Sequence, residues 1–222
     1  MAARVARQAP ALTVLLVDDH RMFREAVRRR LEQEHGIVVV GEASTGQEAL
    51  ALCRRLSPRV VILDIRLPDI SGVEVAKQLK QELPELKILI LTGYDYEQYV
   101  KALVRIGVNG YVLKGDSLDR LVEAVGDVAS GGTVLSPKVA SKVMTQITGA
   151  QGQGGTPYSE LTIREIEVVE LLHEGLLNKE IGDRLGLATR TVESHVSSIL
   201  DKLGAKTRGE VVTIAVEVGL LR

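Results

Sequence analysis

Five side chains between Asp18 and Lys114 are of the types that phosphoryl transfer needs: Asp18 and Asp19, Asp64, Thr92 and Lys114. All of them stand at the ends of short apolar runs. Three crowded carboxylates repel one another and require a cation, and a hard divalent ion such as Mg2+ suits oxygen ligands while keeping several waters. A carboxylate held beside such an ion can attack a phosphoryl donor, with a hydroxyl and an ammonium neutralising charge on the equatorial oxygens. On that chemistry Asp64 is the nucleophile, Asp19 binds Mg2+ directly and Asp18 through water. The Arg66 carbonyl completes the protein ligands, and Thr92 and Lys114 hold the acyl phosphate. Any one of these acidic residues reads equally well as a solvated turn residue; the whole set at successive strand ends favours a site.

Those residues can meet only if the elements before them share one sheet. Leu12 to Val17, Ile37 to Val40, Val60 to Leu63, Lys87 to Leu91 and Gly110 to Leu113 are β-branched, apolar and short, and read as strands. Between them, Arg21 to Glu34, Gly46 to Leu56, Gly72 to Leu83, Tyr96 to Ile106 and Leu118 to Ala129 carry apolar residues at helical spacing. Strands that are apolar throughout belong in a parallel sheet covered on both faces, with right-handed crossovers. The prediction is a doubly wound (βα)5 domain, a flavodoxin-like parallel sheet, in which ligands sit beyond the carboxyl ends of the strands.

The pattern fails at Gly131, Gly132 and Pro137. A short helix is expected over Val139 to Ile147, and Gly149 to Thr156, rich in Gly and Gln, reads as a flexible linker. From Leu161 onward only helices are predicted, making a small all-α domain. Thr162 caps the first, with Glu165 returning the capping box and Leu161 stapling onto Ile166. Asn178 caps a second helix over Lys179 to Leu185, and a third runs from Thr189 to a stop at Gly204. In the third, Val192, Val196, Ile199, Leu200 and Leu203 form a buried stripe, while Arg190, Glu193, Ser194, Ser197 and Asp201 face outward. Two short helices joined at Gly186-Leu187-Ala188 suit a helix-turn-helix. The predicted division is a tail over 1–11, the α/β domain over 12–130, a linker over 131–157 and the helical domain over 158–222.

Composition narrows the function further. No apolar run reaches the eighteen or more residues of a membrane span, and the first ten residues do not form a signal peptide, so a cytoplasmic protein with no membrane partner is expected. Cys53 is the single cysteine and reads as packing, and His20, His35 and His173 stand at no ligand spacing. His195 is either a packing residue or a contact to a nucleic-acid backbone. From Thr156 onward there are 8 Lys and Arg against 11 Asp and Glu, a balance that argues against a polyanionic partner.

The runs LLVDDHRMFREAV, VVILDIRLPDISGVEV, ILILTGY and GYVLKG resemble the receiver domains of response regulators, most of all the NarL/FixJ subfamily, from Leu12 to about Ser130. The resemblance implies a switch. A sensor histidine kinase donates phosphate to Asp64, Thr92 turns toward it, and Tyr111 changes rotamer unless it is an ordinary strand aromatic. Gly115 stands where a proline often follows the lysine, and in similar receivers the side chains at Arg66 and Tyr94 influence the dephosphorylation rate. The run from Leu161 to Arg208 resembles the LuxR-type helix-turn-helix. That implies backbone contacts to DNA from Lys179, Thr191 and Arg208, a base-reading face of Glu193, Ser194 and Ser197, and a positive stripe of Lys179, Arg190 and Arg208. Glu193 replaces a frequent lysine, and either specifies a base or weakens binding. The last helix is core, or in part a dimer surface.

The expectation is a phosphorylation-controlled transcriptional regulator, not an enzyme. It would bind double-stranded promoter DNA as a homodimer and act on RNA polymerase. Two other readings stand beside it: an aspartyl-phosphate phosphatase or phosphotransferase, for which no substrate pocket is legible, and an adaptor making only protein contacts, suggested by the acidic helical domain.

Overall fold

The computed structural model describes residues 11–93, 96–141, 161–218 and 220–221. Most of the expected tail, Tyr94, the linker beyond residue 141 and the later part of the helix expected over Val139 to Ile147 lie outside the described residues; residues 137–141 are helical. The described residues fall into two units, one drawn from 1–94 and 106–136, the other from 95–105 and 137–222.

In the first unit, β1 (Leu12–Val17), β2 (Ile37–Ala43), β3 (Val60–Leu63), β4 (Lys87–Thr92), β5 (Gly110–Leu113) and β6 (Val134–Leu135) form one parallel sheet in the order β2-β1-β3-β4-β5-β6. The connecting helices are α1 (Arg21–Glu32), α2 (Gly46–Leu56), α3 (Gly72–Glu82) and α5 (Leu118–Ala129). β3 is buried at every position, as an inner parallel strand must be. Val14, Leu16, Ile62, Leu89 and Leu91 pack with Val27 and Leu31 of α1 and Leu121 and Val125 of α5 in one core. α2 covers the opposite face, where Leu52 and Leu56 close on Gly41.

β6 was not expected. Only two residues long, it falls below the length at which a strand pattern can be recognised, yet it pairs with Gly110 and Tyr111 of β5. Between β1 and β2 the register shifts: Val14 pairs with Val39 and Leu15 with Gly41, so Val40 is the extra residue of a bulge.

The second unit contains α4 (Glu97–Ile106) apart from its last residue, with Tyr96 and Tyr99 stacked at 5.8 Å between ring centroids. It also contains α6 (Ile163–His173), α7 (Asn178–Leu185), α8 (Thr189–Leu203) and α9 (Arg208–Glu217). Thr162 caps α6 in the expected capping box with Glu165. The start of α7 differs from the prediction by one residue: Leu177 holds the N-cap position, Asn178 is already helical, and Glu180 accepts from the Leu177 N–H at 2.6 Å. On α8, Val192 and Ile199 are buried, while Val196, Leu200 and Leu203 are only partly so. The turn between α7 and α8 is tight because Gly186 takes a φ of +65° and Gly182 lets the Leu187 carbonyl come within 2.7 Å of where a Cβ would stand.

Candidate functional site

The strand register gathers the predicted residues at one sheet edge. Val17 pairs with Leu63, and the Asp64 N–H donates to the Val17 carbonyl at 2.9 Å, so Asp18 and Asp64 emerge side by side. Thr92 pairs with Leu113, and the Lys114 N–H donates to the Thr92 carbonyl at 2.8 Å. Strand order reverses at β1, and the crevice between β1 and β3 is where a doubly wound sheet binds ligands.

Lys114 Nζ bridges the two inner carboxylates, 2.6 Å from Asp64 Oδ2 and 2.7 Å from Asp18 Oδ2, and lies 4.9 Å from the centroid of the Phe23 ring. Asp64 Oδ1 accepts from the Ile65 N–H at 2.7 Å and, more weakly, from the Arg66 N–H at 3.4 Å. Asp64, Asp18 and Thr92 are buried, while Asp19 is open to solvent. Burial pushes the Asp64 carboxyl's pKa above the usual carboxylate value and neighbouring Asp18 adds to the rise, against the opposing pull of Lys114 and a hydrogen bond with Thr92. Burial alone would lower the Lys114 pKa, but the carboxylates of Asp64 and Asp18 outweigh it and hold the ammonium charged.

Asp18, Asp19, His20 and Asp64 each bring one ligand atom to within 4.8 Å of the others, an oxygen-rich donor set that suits a hard divalent cation. His20, which the sequence left without a role, places Nδ1 2.7 Å from Asp19 Oδ1, and its backbone N–H donates to Asp18 Oδ1 at 2.9 Å. Arg24 was also missed. Its guanidinium donates to the Asp18 carbonyl and, at 3.2 Å, to Glu42 on β2, tying the acidic turn to the neighbouring strand. No local pattern marks an arginine in α1 for that task. Tyr111 is buried on β5, one strand from Thr92.

In the helical unit, Arg190, Thr191, Glu193, Ser194 and Ser197 are all exposed on α8, and Lys179 is exposed in the first turn of α7. Arg208 is exposed at the start of α9 and donates to the Leu176 carbonyl. His195 is partly buried. Glu165 does more than cap: buried against α8, it accepts from Ser198 Oγ at 2.6 Å and Lys202 Nζ at 2.7 Å, joining α6 to the helix that carries the exposed polar face. Burial would raise the Glu165 pKa, but Lys202, Ser198 and Thr162 outweigh it and bring it to about 2.

Residues 14–126 match the response regulator receiver domain, and residues 159–215 match the bacterial regulatory proteins of the luxR family. The chain is a NarL/FixJ-family response regulator. This response regulator is 38% identical over 204 residues to the DNA-binding transcriptional activator DevR/DosR of Mycobacterium tuberculosis, covering 92% of this chain and 94% of that one. It is 35% identical over 204 residues to the transcriptional regulatory protein LiaR of Bacillus subtilis, covering 92% and 96%. Among solved structures it resembles RcsB of Salmonella enterica serovar Typhimurium bound to promoter P1flhDC in the presence of phosphomimetic BeF3-. There the TM-score is 0.70 and the identity 26%, with 91% of this chain and 97% of that one covered. The response regulator is thus a two-component DNA-binding transcriptional regulator with a receiver and a LuxR-type helix-turn-helix, of a family whose members are generally not enzymes. Among the described residues no helix is long and apolar enough to cross a membrane.

Proposed function

We propose that Asp64 accepts a phosphoryl group from a phosphohistidine of a sensor kinase in the cytoplasm, and that the phosphorylated chain dimerises, binds paired promoter half-sites and acts on RNA polymerase. The N–P bond of the donor breaks as the bond from an Asp64 oxygen to phosphorus forms, and the leaving imidazole takes up a proton. Held by Asp18, Asp19, Asp64 and the Arg66 carbonyl, Mg2+ would supply charge neutralisation at the phosphoryl oxygens. Lys114, released from its carboxylate bridge, pairs with one phosphoryl oxygen, and the Thr92 hydroxyl turns to another. Thr92 and Tyr111 then carry the change outward. The receiver spans 12–130 with β6 added at its sheet edge, the linker lies within 131–157, and the reader spans 158–222. In the reader, Lys179, Arg190, Thr191 and Arg208 hold the DNA backbone, while Glu193, Ser194 and Ser197 face the bases.

The observation that carries this reading is the buried Asp64 with Lys114 at 2.6 Å on one oxygen and Asp18 sharing the same ammonium. Incubation with acetyl phosphate and Mg2+ followed by intact mass measurement is expected to add one phosphoryl group, and Asp64→Asn to add none. Selection from random double-stranded DNA, with and without acetyl phosphate, should enrich a two-fold symmetric site more strongly in the phosphorylated sample. Labelling at another residue, or no DNA enriched in either state, would overturn the reading.

A further inference from the structure

The loop between β3 and α3 carries the Arg66 carbonyl that the proposed metal centre uses, and its crest is held by a helix rather than by the sheet. Asp69 Oδ1 accepts from the Gly46 N–H at 2.7 Å and Oδ2 from the Gln47 N–H at 2.9 Å. A helix begins with donors that have no partner inside it. α2 satisfies one from its own side, through Thr45, whose hydroxyl accepts from the Glu48 N–H at 3.1 Å. The other two are met by a carboxylate 23 and 22 residues further along the chain. The approach is close: a Cβ on Gly46 would lie 2.4 Å from Cγ1 of Ile70, the residue after Asp69. Burial raises the Asp69 pKa, but the N–H groups of Gln47, Gly46, Ile70 and Asp69 itself outweigh it and hold the carboxyl below the usual range. At its far end the loop is fastened again, since the Gly72 N–H donates to the Ile65 carbonyl at 2.7 Å.

We propose that Asp69 is a positioning residue for the metal centre. Its two-point hold on the N-terminus of α2 sets the course of the β3 to α3 loop, and through it the placement of the Arg66 carbonyl relative to the carboxylates of Asp18, Asp19 and Asp64. The inference rests on the reading of that acidic pocket as a divalent metal site. Asp69 is not one of the side chains that converge on the acidic pocket, and both its oxygens accept from the start of α2. A residue that only capped a helix would add stability and leave ion binding alone, whereas one that orients a ligand changes the ion's affinity.

Mn2+, an oxygen-seeking stand-in for Mg2+, separates the two roles. Free Mn2+ is followed by electron paramagnetic resonance in titrations of the full-length chain, with thermal unfolding recorded on the same samples. Asp69→Ala is expected to weaken Mn2+ binding by about tenfold, and the nearly isosteric Asp69→Asn, which keeps one acceptor oxygen, by less. Thr45→Ala removes the cap that α2 supplies for itself. It should lower the unfolding temperature and leave Mn2+ affinity unchanged. If Asp69→Ala does not fold, Asp69→Asn carries the comparison. Affinity that is unaltered in the Asp69 variants, or equally weakened in Thr45→Ala, overturns the positioning role while the metal site stands. A wild-type chain that binds no Mn2+, or whose binding survives Asp19→Asn and Asp64→Asn, removes the metal site and this inference with it.

Discussion

Replacing Glu165 by Gln tests how the reader helix is held. Glu165 is 3% exposed and its carboxylate accepts from the Thr162 N–H, Ser198 and Lys202. Its pKa falls from 4.5 to about 2 on folding. At about 1.4 kcal/mol per pH unit, that difference favours the folded state by roughly 3 kcal/mol. Because the folded value is the depressed one, the contribution is fully present above pH 4.5 and is lost as the pH falls toward 2. Glutamine keeps an acceptor but no charge, and Lys202, 27% exposed at its side chain, can turn to water. The substitution therefore costs the ionic part without stranding a cation in the interior. Calorimetry of the full chain should show the transition of the helical unit lowered by roughly 10 °C or more at pH 7. The gap from wild type should close between pH 4.5 and 2. Equal transitions at pH 7, or a gap that stays constant down to pH 3, would refute the reasoning.

The receiver offers two further tests and the reader one. Lys114→Gln removes the charge that opposes the burial-driven rise of the Asp64 pKa. Since the ionised carboxylate is the nucleophile, labelling by acetyl phosphate should slow and its pH profile move upward, and an unmoved profile would count against Lys114's role. The Cys53 thiol is buried and pushed up to about 12. It should resist iodoacetamide at pH 8 in the native chain and react fully in urea, so alkylation rates report opening of the receiver. Glu193→Lys, at an exposed position on α8, should tighten binding to random duplex DNA and steepen the log-log salt dependence by roughly 1. An unchanged slope would place Glu193 away from the phosphates.

What could be read beforehand follows the range of the forces involved. The inner strands were legible because burial on both faces leaves an unbroken apolar run, and β2 at the partly exposed edge because Ile37 to Val40 are β-branched; the strand-end rule then brought Asp18, Asp64, Thr92 and Lys114 together. β6 was not legible: Val134 and Leu135 are too few to make a period, and only the β5 edge gives them a partner. Arg24, His20 and Asp69 escaped for a different reason. Each acts on backbone or carboxylate atoms that neither composition nor spacing links to it, across a turn or from another element. The acidic excess after Thr156 was a poor guide to the partner, since residues 159–215 match the luxR family of bacterial regulatory proteins. Part of that acid works locally at helix starts, where Glu180 and Glu210 accept from backbone N–H groups.

The bulge at Val40 bears on evolutionary freedom. Paired residues of parallel strands point to the same side, so the shift turns Gly41 toward α2 with Leu15 and Glu42 toward α1 with Leu16. There Glu42 meets Arg24 at 3.2 Å and Arg28 at 2.7 Å. Deleting Val40 would restore an unbroken ladder with Gly41 still opposite Leu15 and Glu42 still opposite Leu16, whereas deleting Gly41 would bring Val40 opposite Leu15, at a position where even a Cβ stands 2.9 Å from the Leu56 side chain. Lineages of this chain can therefore shed the bulge residue itself, but the glycine beside it cannot be lost or enlarged without repacking α2 against the outer strand.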